Sequence, residues 1–149
     1  MEEFPFSLNN DTERAIAADP RFRQGLDFGR PRRGHPEGTI RRHIAEVIEN
    51  VERWYAPSSL YPSLRLVALI HDTFKYQVDE TRPRCGDNHH GRYARRFAAE
   101  YLTDEAVLEV IELHDEAYNA WVSGKWRGQW ENARRRAGRL IERLGDRLD

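Results

Sequence analysis

Cysteine is almost absent from this 149-residue chain, which contains a single one, Cys85. One cysteine cannot form a disulfide within the chain, and it cannot build a zinc site from several thiolates. This usage is typical of a reducing compartment, and we expect a cytoplasmic protein. The first residues, MEEFPFSLNNDTE, also lack the basic and then apolar order of a signal peptide.

An excess of charge of either sign is missing as well. The chain has 24 basic and 25 acidic residues and a formal net charge of -1, so there is no strong signal for nucleic-acid binding. The basic run RPRRG, Arg30 to Gly34, is interpreted as solvated surface and is assigned no chemistry. No apolar run reaches the roughly 18 to 20 residues that a membrane span requires. We therefore expect no membrane partner, and an anionic ligand would have to be held by a few local residues.

The most apolar stretch of the chain is LVALIHDTFK, from Leu66 to Lys75. Its first half has the composition of a helix that is buried on nearly all sides, yet it leads directly into His71 and Asp72. An imidazole and a carboxylate are costly to bury unless each is hydrogen-bonded or binds a metal. We interpret the pair as ligands of a divalent cation, because one cation would satisfy both groups.

Helical spacing of apolar residues places three other histidines, His43, His90 and His114, on the buried faces of three further segments. A single histidine on such a face is usually a core residue with an ordinary hydrogen bond, and a helical interaction domain is the corresponding alternative. Four such coincidences favour a shared metal site in a helical core, since imidazole and carboxylate together bind transition metals. We expect one or two divalent ions, drawn from Mn, Fe, Ni, Co, Zn and Mg.

The predicted fold is all-α, with about five to six helices, because the chain shows neither strand-like alternation nor an internal repeat. Residues 1–34 are interpreted as a polar lead-in with short helices at Asp11–Ala18 and after Pro20, and residues 35–149 as a compact helical domain. The helices predicted for that domain run from about Thr39 to Tyr55, from Leu64 to about Lys75, from His89 onward, from Asp104 to Trp121, and after Gly128.

Four segments, in this order and spacing, resemble the HD-domain superfamily of metal-dependent phosphohydrolases: RHIAEVIENV, LVALIHDTFK, NHHGRYARRF and VIELHDEAY. The resemblance covers roughly residues 35 to 121 and implies an HD-type helical domain. Its most specific element is the apolar helix that ends in His-Asp with a lysine close behind. Phe74 stands where relatives often have a glycine.

The resemblance implies the ligands of the metal. The first helix would supply His43, and the central pair would supply His71 and Asp72. The two later helices would supply His90 and His114. His90 is preferred to His89 because it shares the face of the apolar residues that follow it. The late aspartate that closes the shell in this superfamily is either Asp115 or Asp146, or is lacking. His35 is interpreted as a turn residue, or as a residue that contacts a metal ligand without binding the metal itself.

The resemblance also implies a substrate, a small phosphate ester of which a nucleotide or cyclic nucleotide is the expected class. Asp72 would bridge two ions or orient the nucleophile, and Lys75 would contact a phosphate. Arg92 is a second phosphate candidate, together with Arg82 and Arg84, and Tyr118 would border the base or sugar. The alternative is a non-catalytic, metal-containing helical module that binds or senses a nucleotide. The sequence leaves open whether the chain forms a homo-oligomer.

Overall fold

The computed structural model describes residues 4–33 and 36–145 of the chain. These residues form eight α-helices and no β-strand, so the all-α prediction is confirmed, although the helices outnumber the five to six expected. Two short 3₁₀ segments, Thr73–Gln77 and Gly86–Asn88, follow the fourth helix. In chain order the helices are α1 (Asp11–Ala18), α2 (Pro20–Leu26), α3 (Ile40–Tyr55), α4 (Tyr61–Ile70), α5 (His90–Ala98), α6 (Glu105–Leu113), α7 (Glu116–Lys125) and α8 (Trp130–Leu144).

Two of the predicted helices are shorter than expected, and each one ends at a His-Asp pair. The central helix α4 stops at Ile70, and after His71 and Asp72 the chain tightens into 3₁₀ geometry instead of continuing as an α-helix to Lys75. The predicted helix from Asp104 to Trp121 is likewise interrupted by His114 and Asp115, which separate α6 from α7. Each His-Asp pair therefore lies at the end of a helix, where the histidine still has helical backbone angles and the α-helix does not continue past it.

The central helix α4 lies between α3 and α6, while the 3₁₀ segment after it packs against α2 and α5. Leu69, Ile70 and Phe74 are almost completely buried there. The lead-in is part of the same core, because Ile16 and Phe22 of α1 and α2 are fully buried in the hydrophobic cluster formed by the later helices. The lead-in and the later helices therefore share one hydrophobic core.

The last two helices cover the core less than the sequence pattern predicts. The helix α8 packs chiefly against α7, so Ala133 is the residue of its apolar face that becomes buried. Helical spacing predicts that Trp130 and Ile141 lie on the inner side of α8 together with Ala133, but they are 52% and 60% exposed. The same spacing predicts that Trp54 and Trp121 lie on the apolar faces of their helices, and both are exposed as well. Within the described residues, no helix combines the length and the apolar character needed to cross a bilayer.

A buried ion pair fastens α1 to α4. Arg65 of α4 and Glu13 of α1 have 1% and 0% of their surface exposed. The guanidinium donates to both carboxylate oxygens, at 2.9 and 3.0 Å, and also to the carbonyl of Ser7 at 2.7 Å. Its Nη1 donates to Glu52 at 2.7 Å. Such a fully hydrogen-bonded pair is the arrangement in which a buried charge is tolerated.

Replacing Arg65 by methionine is expected to destabilise the protein strongly. The Arg65→Met variant keeps much of the side-chain volume but leaves the Glu13 carboxylate buried without its partner, which typically costs about 3–5 kcal/mol. Urea denaturation followed by circular dichroism would measure the loss.

The matched control is Arg53→Met, which removes an arginine from an exposed pair with Glu49 on α3. Exposed pairs contribute roughly 0–1 kcal/mol. A similar free energy of unfolding for the two variants would contradict the importance of the buried pair.

Candidate metal centre

Four helix segments bring their histidines to one place. His43 lies in α3, His71 directly follows α4, His90 opens α5, and His114 directly follows α6. Close packing of α5 on α6 is needed for the last two to meet. A Cβ atom added at Gly91 would lie 2.2 Å from the carbonyl oxygen of Glu112, so glycine permits this approach.

The carboxylate of Asp72 lies between two pairs of histidines. Its Oδ2 is 3.3 Å from Nε2 of His43 and 3.7 Å from Nε2 of His71. Its Oδ1 is 3.2 Å from Nε2 of His90 and 3.3 Å from Nε2 of His114. One carboxylate therefore presents one oxygen to each pair, and each resulting group of three residues could hold a metal ion.

Within each pair, the ring nitrogens face each other. The Nε2 atoms of His43 and His71 are 3.2 Å apart, and so are those of His90 and His114. Nδ1 of His71 lies 3.0 Å from a backbone carbonyl oxygen of α4, and Nδ1 of His114 lies 2.9 Å from one of α6. Because a carbonyl can only accept, each Nδ1 carries the proton, and in the neutral ring Nε2 is left with a lone pair. A carbonyl behind the ring is also the usual support of a metal-binding histidine.

Burial and the close contacts shift the pKa values of these groups. Burial works to raise the pKa of Asp72, but the ring nitrogens of three histidines, first His114, hold it well below its usual range. Burial lowers the pKa of His71 to about 4, and it also lowers the pKa of His90. At His114 burial acts in the same direction, but the contact with Asp72 outweighs it and the pKa is raised. At neutral pH the centre thus combines an ionised carboxylate with at least one imidazole held neutral.

One oxygen of the centre is unsatisfied within the described part of the chain. Asp72 is 5% exposed, and its Oδ1 has no hydrogen-bond partner there despite the two ring nitrogens nearby. A buried carboxylate oxygen without a partner is costly, so it calls for a proton or a cation. The Nε2 lone pair of the neutral His71 ring beside Asp72 calls for the same. The donor set therefore fits a divalent metal ion of the kind that accepts nitrogen and oxygen ligands.

Asp115 belongs to a neighbouring group with His89 and His90. Its Oδ2 is 3.3 Å from Nε2 of His89 and 3.9 Å from Nε2 of His90. Nδ1 of His89 accepts a hydrogen bond from the N–H of Gly91, so a neutral His89 carries its proton on Nε2, toward Asp115. Burial works to raise the pKa of Asp115, but His89 and the nearby histidines lower it to about 2. Asp115 thus adjoins the Asp72 groups through the shared His90, with His89 as its own partner.

His89 is a site residue that the sequence prediction set aside. The sequence places His89 at the mouth of the helix and offers Asn88 as a candidate cap residue. In the structure His89 itself caps α5, while the Asn88 amide binds the backbone of the preceding loop. The sequence feature that could have indicated this is the pair of histidines followed by Gly91. It places the ring of His89 at the helix cap and the ring of His90 beside Asp72.

The other predicted site residues differ in position. Lys75 forms an ion pair with Oδ2 of Asp72. Arg92 pairs instead with Glu112, at 3.3 Å. Tyr118 is 63% exposed and lies against Trp121, so the structure gives it no contact with the Asp72 groups among the described residues. Their substrate roles stay predictions. His35 and Asp146 lie outside the described residues.

A small cleft of about 20 Å³ opens on the centre and is lined by His43, Asp72 and Lys75. Arg32 and Glu37 also line it. Arg32 comes from the basic run that the sequence interpretation assigned to solvent. A charge run carries no periodicity from which its orientation could be predicted, so this contact had no signal in the sequence.

No family model, curated protein or solved structure matches the chain at a significant level. The comparisons therefore neither support nor contradict the resemblance to the HD-domain superfamily. What the site can do has to be judged from its own residues.

Divalent metal is expected to stabilise the folded protein. At a Mn²⁺ concentration about 100 times the dissociation constant, the free energy of unfolding should rise by about 2.7 kcal/mol over that of the chelator-treated protein. Thermal and urea unfolding with and without the ion measure this difference.

The Asp72→Ala variant should lose this gain, because Asp72 contributes to both histidine groups. Asp87→Ala, which removes an exposed aspartate, is the matched control and should keep it. Equal stabilisation of the two variants by Mn²⁺ would place the bound ion elsewhere.

Proposed function

We propose that this chain is a metal-dependent phosphohydrolase of the HD type, acting on a small phosphate ester of the nucleotide or cyclic-nucleotide class. The observation that carries the proposal is the position of Asp72, whose two oxygens face two separate histidine pairs. The order of the ligand-bearing segments along the chain supports the same assignment. It is the order that the resemblance to the superfamily implies.

The residues divide into two ligand sets with one shared member. His43, His71 and Oδ2 of Asp72 would hold one ion, and His90, His114 and Oδ1 of Asp72 would hold the other. Divalent ions in such a site lower the pKa of a bound water and polarise a phosphoryl oxygen. The protein's own contribution is to lower the pKa of His71 and His90 by burial and to fix the rings of His71 and His114 by hydrogen bonds to backbone carbonyls.

Lys75 has two roles in this proposal. Its ammonium orients the Asp72 carboxylate through their ion pair. It also lines the small cleft together with Arg32, so both cations would lie beside a phosphate bound at the mouth of that cleft. Lys75 therefore both positions a ligand and contacts substrate.

The chain is expected to bind two ions, and single substitutions should remove them selectively. His43→Ala should lower the content from two ions to one by disabling the first set, and His114→Ala should do the same through the second. Asp72→Ala should lower it to none or to weakly held metal, because it removes a ligand from both sets. Equilibrium dialysis with Mn²⁺ or Co²⁺, followed by elemental analysis, gives the counts. Identical metal content in Asp72→Ala and His43→Ala would rule out the shared carboxylate.

Hydrolysis of phosphate esters should depend on the metal. The chelator-treated protein is expected to be inactive on a panel of nucleotides, cyclic nucleotides and sugar phosphates, and Mn, Co, Ni or Mg should restore turnover. Asp72→Ala should lower kcat/KM by about 10³-fold, since the metal's contribution amounts to several kcal/mol. Lys75→Met should lower it by about 10- to 100-fold, the usual effect of losing a residue that supports a ligand.

The exposed Arg134→Gln serves as the control and should keep full activity. Bound metal with no turnover on any ester would overturn the enzymatic proposal and favour the non-catalytic module. Turnover that survives Asp72→Ala unchanged would show that the activity does not come from this site.

A further inference from the structure

A larger cleft, of about 330 Å³, lies between α5, the junction of α6 with α7, and α8. Its size is at the lower end of the roughly 300–1,000 Å³ usual for small-molecule sites. Four arginines and two glutamates line it, so its lining has a formal charge of +2. These residues are Arg92, Arg136, Arg139, Arg143, Glu112 and Glu116.

Most of these arginines are held in place by the two glutamates. Glu112 is 5% exposed and accepts two hydrogen bonds from Arg143, at 3.1 and 2.9 Å. Arg136 donates to both oxygens of Glu116, each at 3.1 Å. Arg143 also donates to Glu109, at 3.2 Å, so a carboxylate outside the lining balances part of its charge. A guanidinium has five N–H donors in a fixed plane, so the pair with Glu116 fixes the orientation of Arg136 and leaves some of its donors free. The cleft is therefore pre-organised to receive an acceptor.

Arg139 is the arginine whose charge is not balanced. It is exposed on α8 and forms no ion pair with any residue in the described part of the chain. A cation placed among fixed guanidinium groups is repelled by them and is compensated best by an added anion. Arg139 thus marks where the cleft lacks a negative charge.

The cleft adjoins the metal centre. His89 lines it and also contacts Asp115 in the group that shares His90 with the Asp72 site. A ligand that extends from the metal centre past His89 would therefore enter the arginine-lined cleft. A neutral or purely apolar extension would gain little from such walls, whereas a phosphate matches the guanidinium fork.

We propose that this cleft binds a second phosphate group of the substrate, so that the substrate is a nucleotide with at least two phosphate groups and is not a cyclic monophosphate. One phosphate is hydrolysed at the Asp72 centre, while Arg139 and the neighbouring arginines hold the other. That the bound phosphate belongs to a substrate rests on the proposed function. The anion site itself does not depend on catalysis.

The anion site is tested with inorganic pyrophosphate and the full chain after chelator treatment, by isothermal titration calorimetry. Arg139→Gln should weaken pyrophosphate binding about tenfold, the loss expected for one charge-assisted contact. Arg134→Gln, an equal change of charge on the same helix outside the cleft, should bind like the wild type. Unchanged binding in Arg139→Gln, or an equal loss in both variants, would overturn the proposal.

A kinetic experiment tests the link to the substrate. With metal restored, Arg139→Gln should raise KM for adenosine 3′,5′-bisphosphate about tenfold while leaving KM for adenosine monophosphate unchanged. Equal effects on the two compounds would overturn the assignment to a second phosphate. If pyrophosphate binds through Arg139 but no phosphate ester is hydrolysed, the proposed function fails while the anion site stands, so the two failures are distinguishable.

Discussion

The burial of one carboxylate, Asp72, sets the conditions for the rest of the centre. An ionised carboxylate inside an apolar core is unstable unless positive charge or hydrogen bonds surround it. Four imidazoles and the Lys75 ammonium surround Asp72, and burial keeps the pKa of at least His71 low enough for that ring to be neutral at pH 7. Lys75 pairs with Oδ2 of Asp72, whereas Oδ1 has no hydrogen-bond partner among the described residues. A bound cation would satisfy Oδ1, and that is why the arrangement is understandable as a metal centre.

This requirement explains several local features of the backbone. Both His-Asp pairs lie where an α-helix ends, at His71-Asp72 and His114-Asp115. In a continuous helix, adjacent side chains point about 100° apart. His71 and Asp72 reach one group at the end of α4, whereas Asp115 joins the neighbouring group with His89 and not the group of His114. The carbonyls near each helix end then hold Nδ1 of the histidine, and Gly91 allows α5 to come close enough for His90 to meet His114. Helix endings, ring orientation and close packing thus serve the same carboxylate.

The sequence predicted the residues of the centre better than it predicted the helices around it. Apolar periodicity placed His43, His90 and His114 on buried faces, and the structure brings all three to Asp72. Periodicity does not register a change from α to 3₁₀ winding, so the ends at Ile70 and Leu113 were missed. Periodicity also predicts that every apolar helix face is buried, which requires another element to pack against it. Trp130 and Ile141 belong to the apolar stripe of α8, but that helix packs chiefly against α7 and leaves both exposed.

Glu13, one of the buried glutamates among the described residues, offers a comparison for Asp72. Glu13 is fully buried, and its oxygens accept two hydrogen bonds from Arg65 and one from the N–H of Asn9. That carboxylate is satisfied by the protein alone, as a structural group should be. Asp72 is almost as buried, yet its Oδ1 lacks such a partner among the described residues. Glu109 Oε2 also lacks a hydrogen bond, but the Arg143 guanidinium lies 3.1 Å from it. By contrast, the atoms that lie 3.2 and 3.3 Å from Oδ1 of Asp72 are imidazole nitrogens, so its incomplete shell is better explained as a site for a ligand than as a defect of packing.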